Sequence, residues 1–259
     1  MHAGKMYFTR KIRDPVAILS TFVVLVHASC LPKKYATLPE DAAVYECFRS
    51  ENFMDDILKL DDNTGNVYLL FDTSIVPKLG NDSFANVKSR LVALSFAHCG
   101  VREIENGVFR NMNLLKVLIL EKNQLTSVAP SWFDDLQQLQ LLNLHNNQID
   151  HLDTSIFEKT PFLQQLDLSG NQLSCIDVNS LSSLKNLKIL KLLPNPYTIQ
   201  CGMEVLNWNS ARDAVEDPAE WLPLQNVEVL YKALYTCIRN QPIIQGNESA
   251  LSNCVESQL

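Results

Sequence analysis

Catalytic signatures are the first thing this sequence is short of. It contains no G-x-S-x-G elbow, no H-E-x-x-H pair and no glycine-rich phosphate loop, so it lacks the activated serine, the paired metal-binding imidazoles and the anion cradle those chemistries need. Five histidines are present, and they fall into no ligand spacing. His2 and His27 sit in the N-terminal segment, while His98, His145 and His151 lie within a repeat described below. The expectation is a protein that is not an enzyme, with no catalytic residue, no metal and no cofactor. Asp55, Asp56, Asp61 and Asp62 lack the ordered D-x-D-x-D-G spacing of a calcium loop and read as a solvated acidic loop.

Positive charge is scarce as well: Lys and Arg total 22 against 29 Asp and Glu, a net charge of -7. Long apolar runs are scarcer still. One stands out, the eleven residues Val16 to Val26, preceded by Lys5, Arg10, Lys11 and Arg13. A spanning helix needs about 20 apolar residues, so the pattern predicts a signal peptide over 1–28, with cleavage after Ala28 or after Cys30, and no membrane span. Losing those four cations together with Asp14 removes +3 and takes the mature chain to -10. Such a surface repels phosphate backbones, which argues against a nucleic-acid partner.

What the chain does hold is cysteine and a repeat. Seven cysteines behind a signal sequence point to an oxidising, extracellular compartment. The sequons at Asn81 and Asn247 fit the same place as glycosylation acceptors. Shifting the sequence by 24 residues superposes LVALSFAHCGV, LKVLILEKNQL, LQLLNLHNNQI, LQQLDLSGNQL and LKILKLLPNPY, which begin at Leu91, Leu115, Leu139, Leu163 and Leu187. Ile104, Val128, Leu152 and Ile176 follow the first four leading leucines by thirteen residues, and Phe109, Phe133, Phe157 and Leu181 precede the next repeat by six. Each coil thus sends apolar residues inward from strand, turn and return segment, and only stacking can bury them. Asn123, Asn147, Asn171 and Asn195 end the strands, where a buried amide can satisfy backbone groups at the turn. Cys99 takes that position in the first repeat and reads as a buried structural thiol.

These residues resemble the typical 24-residue class of extracellular leucine-rich repeats over roughly Val67 to Tyr197. The resemblance implies an α/β solenoid, a right-handed horseshoe with a parallel sheet on its concave face, that binds ligands there, usually proteins. A weaker similarity links the chain to insect secreted leucine-rich-repeat immune proteins that lack a coiled coil, since nothing after the repeats forms a heptad array of the needed length. The organisation expected is an N-terminal strand cap and first degenerate coil over 31–90, five repeats over 91–194, and a helical, disulfide-bonded C-terminal cap over 195–259 with a helix near Leu224 to Arg239. Val67 to Phe71 would add a first strand and Ala43 to Phe48 could pair beside it. The family's N-P-W-x-C-x-C cap signature appears here as NPYTIQC, with one cysteine. Three pairings are open among Cys175, Cys201, Cys237 and Cys254, of which Cys175 with Cys201 and Cys237 with Cys254 is the expectation; Cys30 would join Cys47 if it survives processing.

With the leucines explained by the scaffold, the outward strand positions carry the functional reading. Val92, Ala93 and Ser95 point outward in the first repeat. The expected partner-binding residues are Val117, Ile119, Glu121, Leu141, Asn143, His145, Gln165, Asp167, Ile189 and Lys191, with Val117, Ile119 and Leu141 as adjacent apolar points that mark a protein interface. The function expected is secreted recognition of a protein ligand, in innate immunity, by a monomer or homodimer. The rivals are a structural or matrix adaptor and a soluble decoy resembling a receptor ectodomain.

Overall fold

A computed structural model describes residues 30–33, 42–60 and 65–210. The proposed leader, Asp61, Asp62, Cys237, Asn247, Cys254 and the expected helix near Leu224 to Arg239 lie outside the described residues.

Alternation of side chains builds the sheet. Leu118 and Leu120 point inward and are fully buried, and the same pattern returns at Leu142 and Leu144, then at Leu166 and Leu168, then at Leu190 and Leu192. Between them lie short strands, β7 (Val117–Ile119), β8 (Leu141–Asn143), β9 (Gln165–Asp167) and β10 (Ile189–Lys191), all parallel and offset by 24 residues. Upstream stand β1 (Cys30–Lys33), β2 (Ala43–Phe48), β3 (Val67–Asp72) and β5 (Leu91–Ala97), giving one eight-stranded sheet in the order β1-β2-β3-β5-β7-β8-β9-β10. A separate pair, β4 (Lys78–Leu79) and β6 (Glu103–Ile104), sits at the turns. Strand order follows chain order throughout the main sheet, so this is a solenoid that adds one strand per coil.

Inward-facing side chains form columns. Phe84, Phe109, Phe133, Phe157 and Leu181 take the same place on successive return segments, Phe157 within the short helix α2 (Ile156–Lys159), and each is almost wholly buried. Fully burying an apolar side chain of this size is worth about 1.5–3 kcal/mol, and the coil-to-coil contact is what makes the burial complete. At the β2 end Phe71 and Phe96 stack with centroids 4.8 Å apart, and Phe53 meets both edge-on at 6.2 and 5.9 Å.

Phe53 comes from a helix, α1 (Phe53–Leu58), where the acidic residues suggested a loop. Asp55 and Asp56 occupy its first turn, where carboxylates complement the unpaired amides. Phe53 and Ile57, one turn apart, are buried beneath. Those flanking apolar residues decide the conformation. A second difference is β1, which runs antiparallel to β2 and sets Cys30 opposite Cys47, to which it is disulfide-bonded. A third is Val92. Val67 pairs with Leu91 but Tyr68 pairs with Ala93, so Val92 is the extra residue of a bulge, 8% exposed.

The turns repeat as strictly as the strands. Thr73, His98, Lys122 and Asn146 adopt a left-handed backbone with φ of 50 to 55°, and Gly170 does so at 67°. Each still donates its N–H to the next coil, Lys122 to the His145 carbonyl at 2.7 Å and Asn146 to the Ser169 carbonyl at 2.9 Å. The left-handed residue swings the following side chain inward. That next residue is the ladder amide: Asn147 Oδ1 accepts from Leu125 N at 3.1 Å, while its Nδ2 donates to the carbonyls of Leu120 and Leu144 at 2.9 and 3.0 Å. Asn123 and Asn171 repeat the arrangement, and Asn195 makes the same bonds after Pro194, which is not left-handed.

After β10 the chain enters α3 (Ile199–Ser210), with Cys201 and Val205 buried and Cys201 disulfide-bonded to Cys175. The bond ties the helix to the preceding coil across a 26-residue separation. Replacing both cysteines by serine should cost about 3 kcal/mol through the lost loop constraint, read as a lower urea midpoint. Asn147→Ala strands one amide and two carbonyls in the interior and should cost about 3 kcal/mol or more in the same measurement.

Candidate functional site

Register turns the outward side chains into rows. One runs Val44, Tyr68, Ala93, Val117, Leu141, Gln165, Ile189; the next runs Glu46, Leu70, Ser95, Ile119, Asn143, Asp167, Lys191. Beyond the strand ends Glu121, His145 and Ser169 continue on the same side. All ten residues expected to bind a partner therefore share one face of the sheet, nine of them half-buried and Gln165 exposed. Ala93 and Ser95 also point to this side but retain only 6% and 7% exposure, because the larger residues of β3 and β7 shade them.

The C-terminal half of the face is a hydrogen-bonded polar patch. Asn143 Nδ2 donates to Glu121 Oε2 at 2.7 Å, and Asn143 Oδ1 accepts from the His145 amide at 2.9 Å. His145 Nδ1 lies 2.8 Å from Ser169 Oγ, and that hydroxyl donates to Asp167 Oδ1, which also accepts from Ser169 N at 3.0 Å. Lys191 Nζ stands 4.0 Å from Asp167 Oδ2. Serine, histidine and aspartate thus meet, but not as a nucleophilic triad. One nitrogen, Nδ1, faces both Ser169 and Asp167, and the serine proton is directed to the carboxylate; a triad needs the imidazole between the two, bonded through different nitrogens. What the cluster does is fix the orientation of polar groups presented to solvent.

The N-terminal half is apolar and wider than the repeats alone indicated. Tyr68 and Leu70 on β3 extend the stripe of Val117, Ile119 and Leu141, and the exposed Leu31 and Phe48 lie on the same side of β1 and β2. A shift of one 24-residue period sets Leu70 on the inward Leu94, so only the pairing across the bulge, Tyr68 with Ala93 and Leu70 with Ser95, reveals these two as outward. His98 sits exposed at the turn after β5, its Nδ1 3.1 Å from Asp72 Oδ1.

Elsewhere, Asn81 is exposed in a turn, and the serine of its sequon is buried, with Ser83 Oγ accepting from Gly80 N at 2.9 Å. Beside it Lys78 bonds Glu103 and Glu105 at 2.8 and 2.7 Å, which holds the ammonium above its usual pKa and the Glu105 carboxyl below its own. Among the described residues no group of three or more His, Cys, Asp or Glu is placed to hold a metal ion, and no helix is long and apolar enough to cross a membrane.

Cys99 is buried and unbonded, with its Sγ donating to the Ala97 carbonyl at 3.1 Å and its amide donating to Asn123 Oδ1 at the same distance. Burial pushes its thiol up to about 11, partly opposed by the Ser74 amide.

The leucine rich repeat family pattern matches residues 89–149 and 137–196. Among solved structures the chain is similar to the TLR13 chain in the crystal structure of a TLR13–ssRNA13 complex, with 27% identity and a TM-score of 0.51 over 65% of this chain and 23% of that one. It is also similar to the APL1 leucine-rich repeat domain, with 22% identity and a TM-score of 0.49 over 59% of this chain and 41% of that one. This chain therefore spans less than half the length of either. No curated protein matches the sequence.

A buried thiol of raised pKa reacts slowly because the thiolate is the nucleophile. Cys99 should resist maleimide at pH 8 in the folded protein and react once the chain is unfolded in urea, as read by mass spectrometry of the tryptic peptide.

Proposed function

We propose that this leucine-rich-repeat protein is a secreted, non-enzymatic recognition protein that grips a protein ligand on the outward face of its sheet, the concave face of a horseshoe. The single observation behind this is the apolar stripe. Val117, Ile119 and Leu141 hold half-buried apolar side chains where the fold needs none, and they adjoin a patch of oriented polar groups. An apolar centre with a polar surround is the composition of a specific interface.

Paired cysteines support an oxidising destination. In this reading residues 1–28 are a signal peptide, cleavage after Ala28 leaves Cys30 for its bond to Cys47, 31–90 cap one end of the five repeats at 91–194, and 195–259 cap the other. Asn81 and Asn247 carry glycans, and the protein works as a monomer or homodimer in innate immunity. Cys237 bonds Cys254. TLR13 was crystallised in complex with ssRNA13; here the face presents Asp72, Glu121 and Asp167, which repel phosphate.

A contact of ordinary size buries about 800 Å² per partner, within the reach of five coils. Affinity capture from extracellular fluid tests the reading. Ile119→Ser with Leu141→Ser should lose at least 90% of the specifically captured protein, since two central contacts of about 1–2 kcal/mol each are removed, while the urea midpoint stays put. Undiminished capture by the folded double variant contradicts it.

A further inference from the structure

The apolar half of the face has a furrow in it. Along β5 the outward residues are small, Ala93, Ser95 and Ala97, whereas the facing positions on β3 and β7 carry Tyr68 and Leu70 on one side and Val117 and Ile119 on the other. The two walls stand about 10 Å apart, two strand spacings. At its C-terminal end the furrow changes character: Asp72 pairs across from Ala97 on one flank, and Glu121 follows the β7 wall on the other.

Ser95 is the residue that points to an occupant. It is 7% exposed, faces the furrow, and its hydroxyl has no hydrogen-bond partner among the described residues. The other buried serine and threonine hydroxyls among the described residues, on Ser50, Ser74, Ser83, Thr160 and Ser169, are all bonded. The Ser95 oxygen is not sealed from solvent, so a donor entering the furrow can bond it in place of water.

We propose that the furrow along β5 receives an arginine side chain of the partner protein, its methylene stem over Ser95 between the apolar walls and its guanidinium between Asp72 and Glu121. This rests on the reading of the face as a protein-binding surface and names the chemistry of the contact. A guanidinium presents five N–H donors in a planar fork, enough to serve carboxylates on opposite walls and the Ser95 oxygen together, while its stem packs on apolar surface. Lysine, with a compact charge, reaches one wall at a time. Asp72 Oδ1 is taken by His98 and Glu121 Oε2 by Asn143, which leaves the second oxygen of each carboxylate for the incoming group. The cations around the furrow are His98 on Asp72, exposed Arg49 at the turn after β2, whose amide donates to the Asp72 carbonyl at 3.1 Å, Lys116 before β7 and exposed Lys122 after Glu121. Of these His98 alone is bonded to either carboxylate.

Methyl NMR of the full chain tests this with blocked dipeptides as probes. Acetyl-Leu-Arg-amide should shift the methyls of Ala93, Ala97, Leu70 and Ile119 with millimolar affinity, acetyl-Leu-Lys-amide should bind several-fold more weakly, and acetyl-Leu-Glu-amide should leave those methyls unmoved. Glu121→Gln should weaken the arginine probe about fivefold or more, and Ser95→Leu, which fills the furrow from the solvent side, should abolish the shifts with the circular dichroism unchanged. Equal shifts from the glutamate probe, no shift with the arginine probe, or tighter binding of a single-stranded RNA oligomer to the same methyls would overturn the proposal. Partner capture separates its failure from that of the wider reading. Capture that depends on Ile119 and Leu141 yet ignores Ser95→Leu rejects the arginine site alone, whereas indifference to all three positions rejects the face.

Discussion

Every coil of this chain has to turn away from its strand and still leave no backbone amide or carbonyl unpaired in the interior. In each coil but the last, a residue one to three places beyond the strand adopts a left-handed conformation, which keeps its own N–H in the ladder to the next coil and aims the next side chain inward. That side chain then spans two coils: Asn171 Nδ2 donates to the carbonyl of Leu144 in one coil and of Leu168 in its own, and its Oδ1 accepts from Ile149 N. The requirement extends beyond the asparagines. Ser74 Oγ accepts from Ser50 N, and Ser50 Oγ donates to Asp56, so the series of buried bonds ends on a carboxylate of α1. The stacking of leucines and phenylalanines depends on this, because apolar burial is available only if the turns bring no unsatisfied polar groups with them.

A scaffold satisfied from within leaves its outward face free to differ from coil to coil. The inward positions are nearly all Leu, while the outward ones read Tyr, Ala, Val, Leu, Gln and Ile along a single row. The result is a face of two halves, an apolar one with a furrow along β5 and a polar one whose groups are held by Asn143, Asp167 and Ser169. The bulge at Val92 contributes to the first half: it shifts β5 by one residue against β3, so that Ala93 and not Val92 stands opposite Tyr68. A local irregularity thereby decides which side chain floors the furrow.

The repeats were legible because a fixed period leaves the same residue at the same place five times, and Leu118 or Asn147 can be assigned by counting. The ends were not, because each has only one copy. α1 shows two aspartates beside Phe53 and Ile57, and charge was the more visible feature although burial decides the fold. α3 carries Cys201, Val205 and Trp208 at helical spacing, a signal overshadowed by the departures in NPYTIQC. Nothing local marks Cys30 to Lys33 as a strand; its pairing with β2 is a long-range contact sealed by a disulfide. The outward face divided the same way: positions within the repeats could be assigned, whereas Tyr68 and Leu70 were assigned to an end, and the bulge at Val92 shows only in strand register.

Binding on the outward face of the sheet is the claim on which the rest converges, and a bulky tag placed by site decides it most directly. Cysteine introduced at Asn143 on that face, or at exposed Gln138 on the return segment, can be joined to a polyethylene glycol maleimide, with the similarly treated natural chain as reference. The prediction is that the tag at Asn143 blocks capture of the partner and the tag at Gln138 does not. Capture blocked from Gln138 and intact from Asn143 would contradict it.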